Sequence, residues 1–214
     1  MLFLSLMSVA QIKVAVIDTG LDYKLARDIP ICESGHIWNF RDDWNPKHGT
    51  NVSGLINNHA KKTHYCQVIL QVFHKKRKNN ILHVVNAIKQ AIKLKVDVIN
   101  MSFGSIGFDQ DEHKAVISAL NNGITVVAAS GNESMKLTNT NCFYFPACYD
   151  KRIIVVGGNS SKANYGEEII DYTENSLDQE AYGISLSGTS QAAAIRTGKI
   201  IKELGDKRVF ERRK

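Results

Sequence analysis

Short apolar runs alternate along the chain with segments of helical periodicity. The apolar runs are brief and rich in β-branched residues, and they cover positions 12–18, 67–73, 96–100, 124–130 and 152–158. Continuous apolar runs of this length are typical of strands that are buried on both faces of a parallel sheet. The pattern therefore predicts five buried strands.

The segments between these runs favour helices. Residues 81–95 place apolar side chains three and four positions apart, and Asp109 or Asp111 can cap a second helix that ends near Gly123. A last helix is predicted from Thr189 toward Lys202. Strands that alternate with crossover helices predict an α/β fold of three layers, with a mostly parallel sheet and helices on both faces.

The chain has 214 residues, which is enough for one substantial core. We expect one domain over residues 11–204, followed by a basic C-terminal tail at 205–214. Residues 1–10 are interpreted as a signal-peptide remnant or an extension of the first strand, because they end in a small-x-small pattern but contain no Lys or Arg. Export to a secreted or periplasmic location is favoured over a cytoplasmic one. No apolar run is long enough to predict a membrane-spanning helix.

The net charge of +6 raises the question of nucleic-acid binding. The excess is local, since it is concentrated in residues 74–78 and 207–214. The basic run at 74–78 lacks the interleaved aromatic residues of a stacking surface, and no zinc-finger pattern accompanies it. Solvated loops and termini are therefore favoured, and nucleic acid is an unlikely partner.

The four cysteines form no C-x-x-C pair, so a structural zinc site is not predicted. An even number permits disulfides in an exported protein. Cys142 and Cys148 lie close together in sequence and are the favoured pair. Four reduced thiols are an equally weighted alternative.

Polar residues follow several of the predicted strands, where parallel sheets bind ligands. Asp18 ends the first predicted strand, and Asn132 lies two residues after the strand at 124–130. His48 begins a helix of small residues, and Ser190 opens the last helix within SLSGTSQAAA. Each has a structural alternative; Ser190, for example, could be an ordinary helix N-cap. Together they supply an orienting carboxylate, an oxyanion donor, a base and a nucleophile, the groups that acyl transfer requires.

The blocks that contain these residues resemble those of the subtilisin family of serine proteases. The resemblance rests on five blocks in the family's order, with Asp before His before Ser, at positions 16–20, 48–54, 100–104, 128–133 and 188–192. It extends from about residue 13 to about residue 200. Five ordered blocks form a specific signature.

The resemblance implies a role for each residue. Ser190 would attack the scissile carbonyl, His48 would accept the proton, and Asp18 would orient the imidazole. The Asn132 side chain and the Ser190 backbone N–H would bind the oxyanion. Two substrate-binding segments would pair with an extended polypeptide, and they comprise Ser102, Phe103, Gly104, Ala129, Ser130 and Gly131. Tyr144 would lie at the base of the specificity pocket.

The implied activity is that of a serine endopeptidase with broad specificity and an apolar preference at P1, the residue before the scissile bond. The alternative is an inactive peptide-binding module on the same fold. Ala194 replaces a proline usual in the family, and the short segment between His48 and Gln67 lacks the loop of its common calcium site. No cofactor is expected, and no calcium at that position, while a calcium site elsewhere stays open. The sequence does not indicate an oligomeric state.

Overall fold

A computed structural model describes residues 10–33, 45–73 and 80–211. The basic run 74–78, residues 1–9 and residues 212–214 lie outside the described part. Its strands are β1 (Ile12–Asp18), β2 (Tyr65–Gln71), β3 (Val98–Met101), β4 (Ser105–Ile106), β5 (Thr125–Ala129), β6 (Tyr144–Phe145), β7 (Ile154–Gly158), β8 (Tyr172–Glu174), β9 (Gln179–Ala181) and β10 (Ile184–Leu186). Its helices are α1 (Lys47–Ala60), α2 (Asn80–Lys93), α3 (Gln110–Asn121) and α4 (Thr189–Glu211).

Six strands form a parallel sheet in the order β2-β1-β3-β5-β7-β8. The register places Val16 beside Asn100 and Met101 beside Ala128, so that neighbouring strands end at similar heights. The short strands form two antiparallel pairs outside this sheet, β4 with β6 and β9 with β10. The carboxyl ends of β1, β3 and β5 therefore lie side by side.

Helices cover both faces of the sheet. The alternation along β1 divides its side chains, because Ala15 and Ile17 pack with residues of α2 and α3 whereas Val14 and Val16 pack with residues of α1 and α4. Two buried apolar cores result, one on each side of the sheet. The predicted three-layer α/β architecture is confirmed.

The five predicted strands are all present, with ends shifted by a few residues. The N-cap of α3 is Asp109, whose carboxylate accepts hydrogen bonds from the N–H groups of Asp111 and Glu112. The last helix is longer than predicted and continues past Gly205 to Glu211, so residues 205–211 are helical. Arg208 stabilises this extension by donating to the carbonyl of Ala10 at 2.9 Å and by pairing with Asp97. The sequence does not reveal this extension, because the partners of Arg208 lie far away in sequence.

Both pairs of cysteines are joined as disulfides. One bridge links Cys142 to Cys148, and the other links Cys32 to Cys66 and so attaches the segment after β1 to β2. The second pairing was not predicted from the sequence. It forms because the Cys32 N–H donates to the carbonyl of Gln67, which brings two positions 34 residues apart into register.

Candidate active site

Asp18 and His48 form a direct polar contact at the carboxyl edge of β1. Asp18 is the last residue of that strand and is 2% exposed, and its Oδ1 lies 2.7 Å from Nδ1 of His48. The same oxygen accepts a hydrogen bond from the Thr19 N–H. The negative charge of Asp18 raises the pKa of His48 above its ordinary value, and burial only partly opposes this effect. The carboxylate thus orients the imidazole and stabilises its protonated form.

A close approach of two backbones places His48 beside Asp18. A Cβ on Gly49 would lie 2.2 Å from the carbonyl oxygen of Gly20, which no side chain could tolerate. The Gly49 N–H also donates to the Thr19 hydroxyl at 2.9 Å. The His-Gly-Thr sequence therefore lets the start of α1 contact the turn that follows β1.

Ser190 is the second residue of α4, and its side chain does not cap that helix. Its hydroxyl donates to the carbonyl of Ser102 at 2.7 Å, and the Ser102 hydroxyl donates in return to the carbonyl of Ser190. A cap would instead accept a hydrogen bond from a backbone N–H. Among the hydrogen bonds of the described residues, none joins Ser190 to His48. The hydroxyl would have to rotate away from Ser102 to reach the imidazole.

Asn132 follows β5 and contacts the start of α4. Its Oδ1 accepts a hydrogen bond from the Thr189 N–H at 2.9 Å, which leaves Nδ2 as a donor for a ligand. The Thr189 hydroxyl in turn accepts from the N–H of Gly131. These two bonds attach the strand end that carries Asn132 to the helix that carries Ser190.

The two predicted substrate-binding segments leave neighbouring strands. Ser102 and Gly104 follow β3, while Ser130 and Gly131 follow β5. Ser102 and Ser130 are buried, as is Ala129, so these residues can offer a ligand little beyond their backbone groups. Phe103 packs edge-on against Phe73, with 4.8 Å between the ring centroids. The remaining predicted residue, Tyr144, lies between the two segments.

Asn164 is a site residue that the sequence did not reveal. It is 1% exposed, and its Nδ2 donates to the Ser130 carbonyl and to the Glu133 carboxylate, both at 2.8 Å. Its Oδ1 accepts from the N–H groups of Glu133 and Met135. One side chain thus fixes the loop that presents Asn132. In the sequence Asn164 is an isolated asparagine two residues before Gly166, which looks like an ordinary turn residue.

A second buried network joins the helices of His48 and Ser190. The Gln191 amide donates to Oδ1 of Asn51 at 3.1 Å. Asn51 donates to the carbonyls of Gln179 and Ile184, which belong to the hairpin of β9 and β10. Buried polar groups that satisfy one another in this way specify a single arrangement of the elements that carry them.

Neither a metal cluster nor a membrane-spanning helix occurs in the described ranges. Over residues 10–33, 45–73 and 80–211, no group of three or more His, Cys, Asp and Glu residues could bind a metal ion. Calcium also binds backbone carbonyls, so the expected lack of a calcium site stays a prediction. Over the same ranges, no helix is long and apolar enough to cross a membrane.

A parallel α/β sheet with an Asp–His pair and a helix-terminal serine at its carboxyl edge has the architecture of the subtilisin-like serine peptidases. The chain matches the sequence model of the Subtilase family, Peptidase_S8, over residues 10–202. It therefore belongs to that family, as the sequence blocks indicated. The chain is a subtilase.

Curated relatives share about 30% of its residues. The major intracellular serine protease of Bacillus subtilis (strain 168) is 32% identical over 212 residues, covering 85% of this chain and 65% of that protein. The intracellular serine protease of Paenibacillus polymyxa is 30% identical over 224 residues, with 91% and 68% covered. The minor extracellular protease Epr of B. subtilis is 28% identical over 205 residues, with 85% and 30% covered. The chain thus spans about two thirds or less of these proteins, and their names include both intracellular and extracellular locations.

Solved structures show the same fold. A lanthipeptide protease superposes with a TM-score of 0.76 and 24% identity, covering 95% of this chain and 75% of its own. A cold-adapted subtilisin-like serine proteinase gives a TM-score of 0.73 and 22% identity, with 91% and 76% covered. Identities this low support the architecture and not a shared substrate.

Proposed function

We propose that the chain is a serine endopeptidase in which Ser190 is the nucleophile, His48 the general base and Asp18 the residue that orients His48. The observation that carries this proposal is the 2.7 Å contact between the buried Asp18 carboxylate and Nδ1 of His48. It directs Nε2, the other imidazole nitrogen, to act on a substrate or nucleophile. Family membership supports the same chemistry.

The proposed reaction begins when Ser190 releases the Ser102 carbonyl. Its oxygen attacks the scissile carbonyl carbon while Nε2 of His48 takes the hydroxyl proton. Nδ2 of Asn132 and the Ser190 N–H donate to the oxyanion, and the N-terminus of α4 favours the developing negative charge. The C–N bond then breaks, and His48 returns the proton to the leaving amine. Water, activated by the same imidazole, hydrolyses the acyl-enzyme and restores the serine.

The proposed substrate is a polypeptide in extended conformation. It would hydrogen-bond as an added strand to the backbones of residues 102–104 and 129–131, which follow adjacent strands. Buried side chains in these segments leave backbone groups as the main contacts, which supports broad specificity. We propose an apolar preference at P1, because the ring of Tyr144 lies between the two segments and belongs to the apolar core against which Phe103 packs.

A peptide-binding module without catalysis is the second candidate. It is favoured by one observation, the engagement of the Ser190 hydroxyl with Ser102 instead of His48. Catalytic hydrogen bonds often form only in the substrate complex, so this geometry does not decide between the candidates.

Covalent labelling of Ser190 separates the two candidates. The folded protein is treated with a sulfonyl fluoride, the adduct is located by mass spectrometry, and cleavage of casein is followed in parallel. We expect modification at Ser190 and loss of cleavage, with Ser187→Ala as the labelled, active control and Ser190→Ala as the inactive one. A folded protein that cleaves nothing and stays unmodified at Ser190 would refute the endopeptidase proposal.

We also propose an oxidising, exported location for the protein. The two disulfides support this, because such bonds persist mainly outside the cytosol. Thiol counting on protein taken from its native compartment without reductant tests the proposal. Four free thiols would contradict it.

A further inference from the structure

The side chain of Tyr144 occupies the space between the two substrate-binding segments. A Cβ placed on Gly104 would lie 2.3 Å from ring carbon Cε1 of Tyr144, and one placed on Gly131 would lie 2.6 Å from its Cζ. The ring therefore packs directly against both backbones. Tyr144 is only 5% exposed, so little free space remains around it.

The backbone of Tyr144 is fixed on both sides. Strand β6 pairs with β4, which places Tyr144 opposite Ile106, directly beyond the segment 102–104. The Tyr144 carbonyl accepts a hydrogen bond from the Cys148 N–H at 3.0 Å. A ring attached to such a backbone can leave its position only by side-chain rotation, which would expose a buried aromatic surface.

The phenol contributes bulk to this space but no charge. Burial, with a smaller effect of the nearby Glu133 carboxylate, raises the pKa of Tyr144 far above its ordinary value. The Glu133 carboxylate is itself bound by Nδ2 of Asn164. The ring is therefore a neutral, bulky filler between the two segments.

We propose that Tyr144 closes the P1 pocket of this protein, so that it accepts small residues such as Gly, Ala and Ser and excludes Leu, Phe and larger side chains. This inference rests on the proposed function, because it assigns the segments 102–104 and 129–131 to the P1 residue. It restricts the broad specificity proposed above, at P1, to side chains of about the size of alanine. A methyl group needs almost none of the space that the ring fills, whereas a phenyl group needs all of it.

Three peptides that differ only at P1 measure this discrimination. Internally quenched substrates with Ala, Leu or Phe at P1 are compared by kcat/KM for the wild type, Tyr144→Gly, Tyr144→Ala and Tyr144→Phe. Removing even one methylene from a pocket contact changes specificity by about 10- to 200-fold, so we expect the wild type to favour Ala over Phe by at least about tenfold. Tyr144→Gly and Tyr144→Ala should raise kcat/KM for Phe by a similar factor, while Tyr144→Phe keeps the wild-type order.

Equilibrium binding gives the same comparison without catalysis. Peptides that end in Ala or Phe as the free acid are titrated into Ser190→Ala and into the Ser190→Ala, Tyr144→Gly double variant. The single variant should bind the Ala peptide more tightly, and the double variant should reverse or abolish that preference. This measurement separates the endopeptidase proposal from the proposal that Tyr144 closes the P1 pocket. If Ser190 is not labelled, the endopeptidase proposal fails, but the binding preference can still be measured. Equal binding and equal cleavage of the Ala and Phe peptides by Tyr144-containing protein would overturn the inference.

Discussion

Replacing Asn164 with alanine tests whether one buried side chain maintains the loop that carries Asn132. Asn164→Ala removes four hydrogen bonds from the segment that runs from Ser130 to Met135. The backbone bonds between Asn164 and this segment remain, since they use its N–H and carbonyl. The substitution therefore isolates the contribution of the amide side chain.

The size of the effect follows from the number and burial of these bonds. Three of them join neutral groups at a site that is 1% exposed, and each contributes about 0.5 to 1.5 kcal/mol net. In the fourth, Nδ2 of Asn164 donates to the carboxylate of the exposed residue Glu133, so we assign it about 1 kcal/mol after solvent screening. The sum is about 4 kcal/mol, a large share of the roughly 5 to 15 kcal/mol by which a domain is stable. For a chain of this length that corresponds to a fall in Tm of about 8 to 16 °C.

Thermal unfolding followed by circular dichroism measures this fall. Asn139→Ala is the matched control, because Asn139 lies on an exposed turn and should change stability by no more than about 0.5 kcal/mol. Turnover measured well below the Tm should also decrease, since the loop presents Asn132. A fall of less than about 3 °C, or one equal to that of the control, would show that the loop does not depend on Asn164.

Two further predictions concern the reaction itself. Asn132→Ala should lower kcat by about 10² to 10³ with little change in KM, the magnitude known for the oxyanion donor of subtilisin. An effect confined to KM would contradict the proposed role of Asn132. Catalysis needs neutral His48, and Asp18 raises the pKa of His48, so the acid limb of kcat/KM should lie above pH 6.5, the ordinary pKa of histidine. Asp18→Asn should move that limb to lower pH and reduce kcat by about 10⁴, as in other serine proteases; a pH profile that the substitution leaves unshifted would refute the proposed coupling.

The fold was predictable because its signals are local. Strand β1 has the predicted ends, since the run from Ile12 to Asp18 is apolar and ends in a carboxylate. The short strands β4, β6, β8, β9 and β10 were not predicted. They contain two or three residues each, too few for a periodic pattern. β9 and β10 form a local hairpin, whereas β4 and β6 pair only because distant segments meet. Tyr144 and Ile106, for example, pair across almost 40 positions.

The residues of the candidate site also differ in whether local sequence signals reveal them. Four residues could be picked out as candidates because each lies at or just after the end of a buried strand or at the start of a helix: Asp18, His48, Asn132 and Ser190. Their supporting residues could not. The side chain of Asn164 forms hydrogen bonds with residues about 30 positions earlier in the chain. No local sequence pattern predicts these contacts. A polar residue in a loop and a polar residue in a buried network look the same until the tertiary contacts are known.

The supporting networks restrict the geometry of the site. Asn51 and Gln191 connect α1 to α4 inside the core, and Thr189 connects α4 to the loop after β5. These contacts are buried or partly buried, so they restrict the positions of His48 and Ser190 more tightly than exposed loops could. A change to a surface loop should therefore affect which peptides bind, whereas a change to Asn51 or Gln191 should alter the alignment of the base with the nucleophile. The geometry of the site depends on the packing of two helices against one sheet edge, and that packing lies within the part of the chain that matches the family.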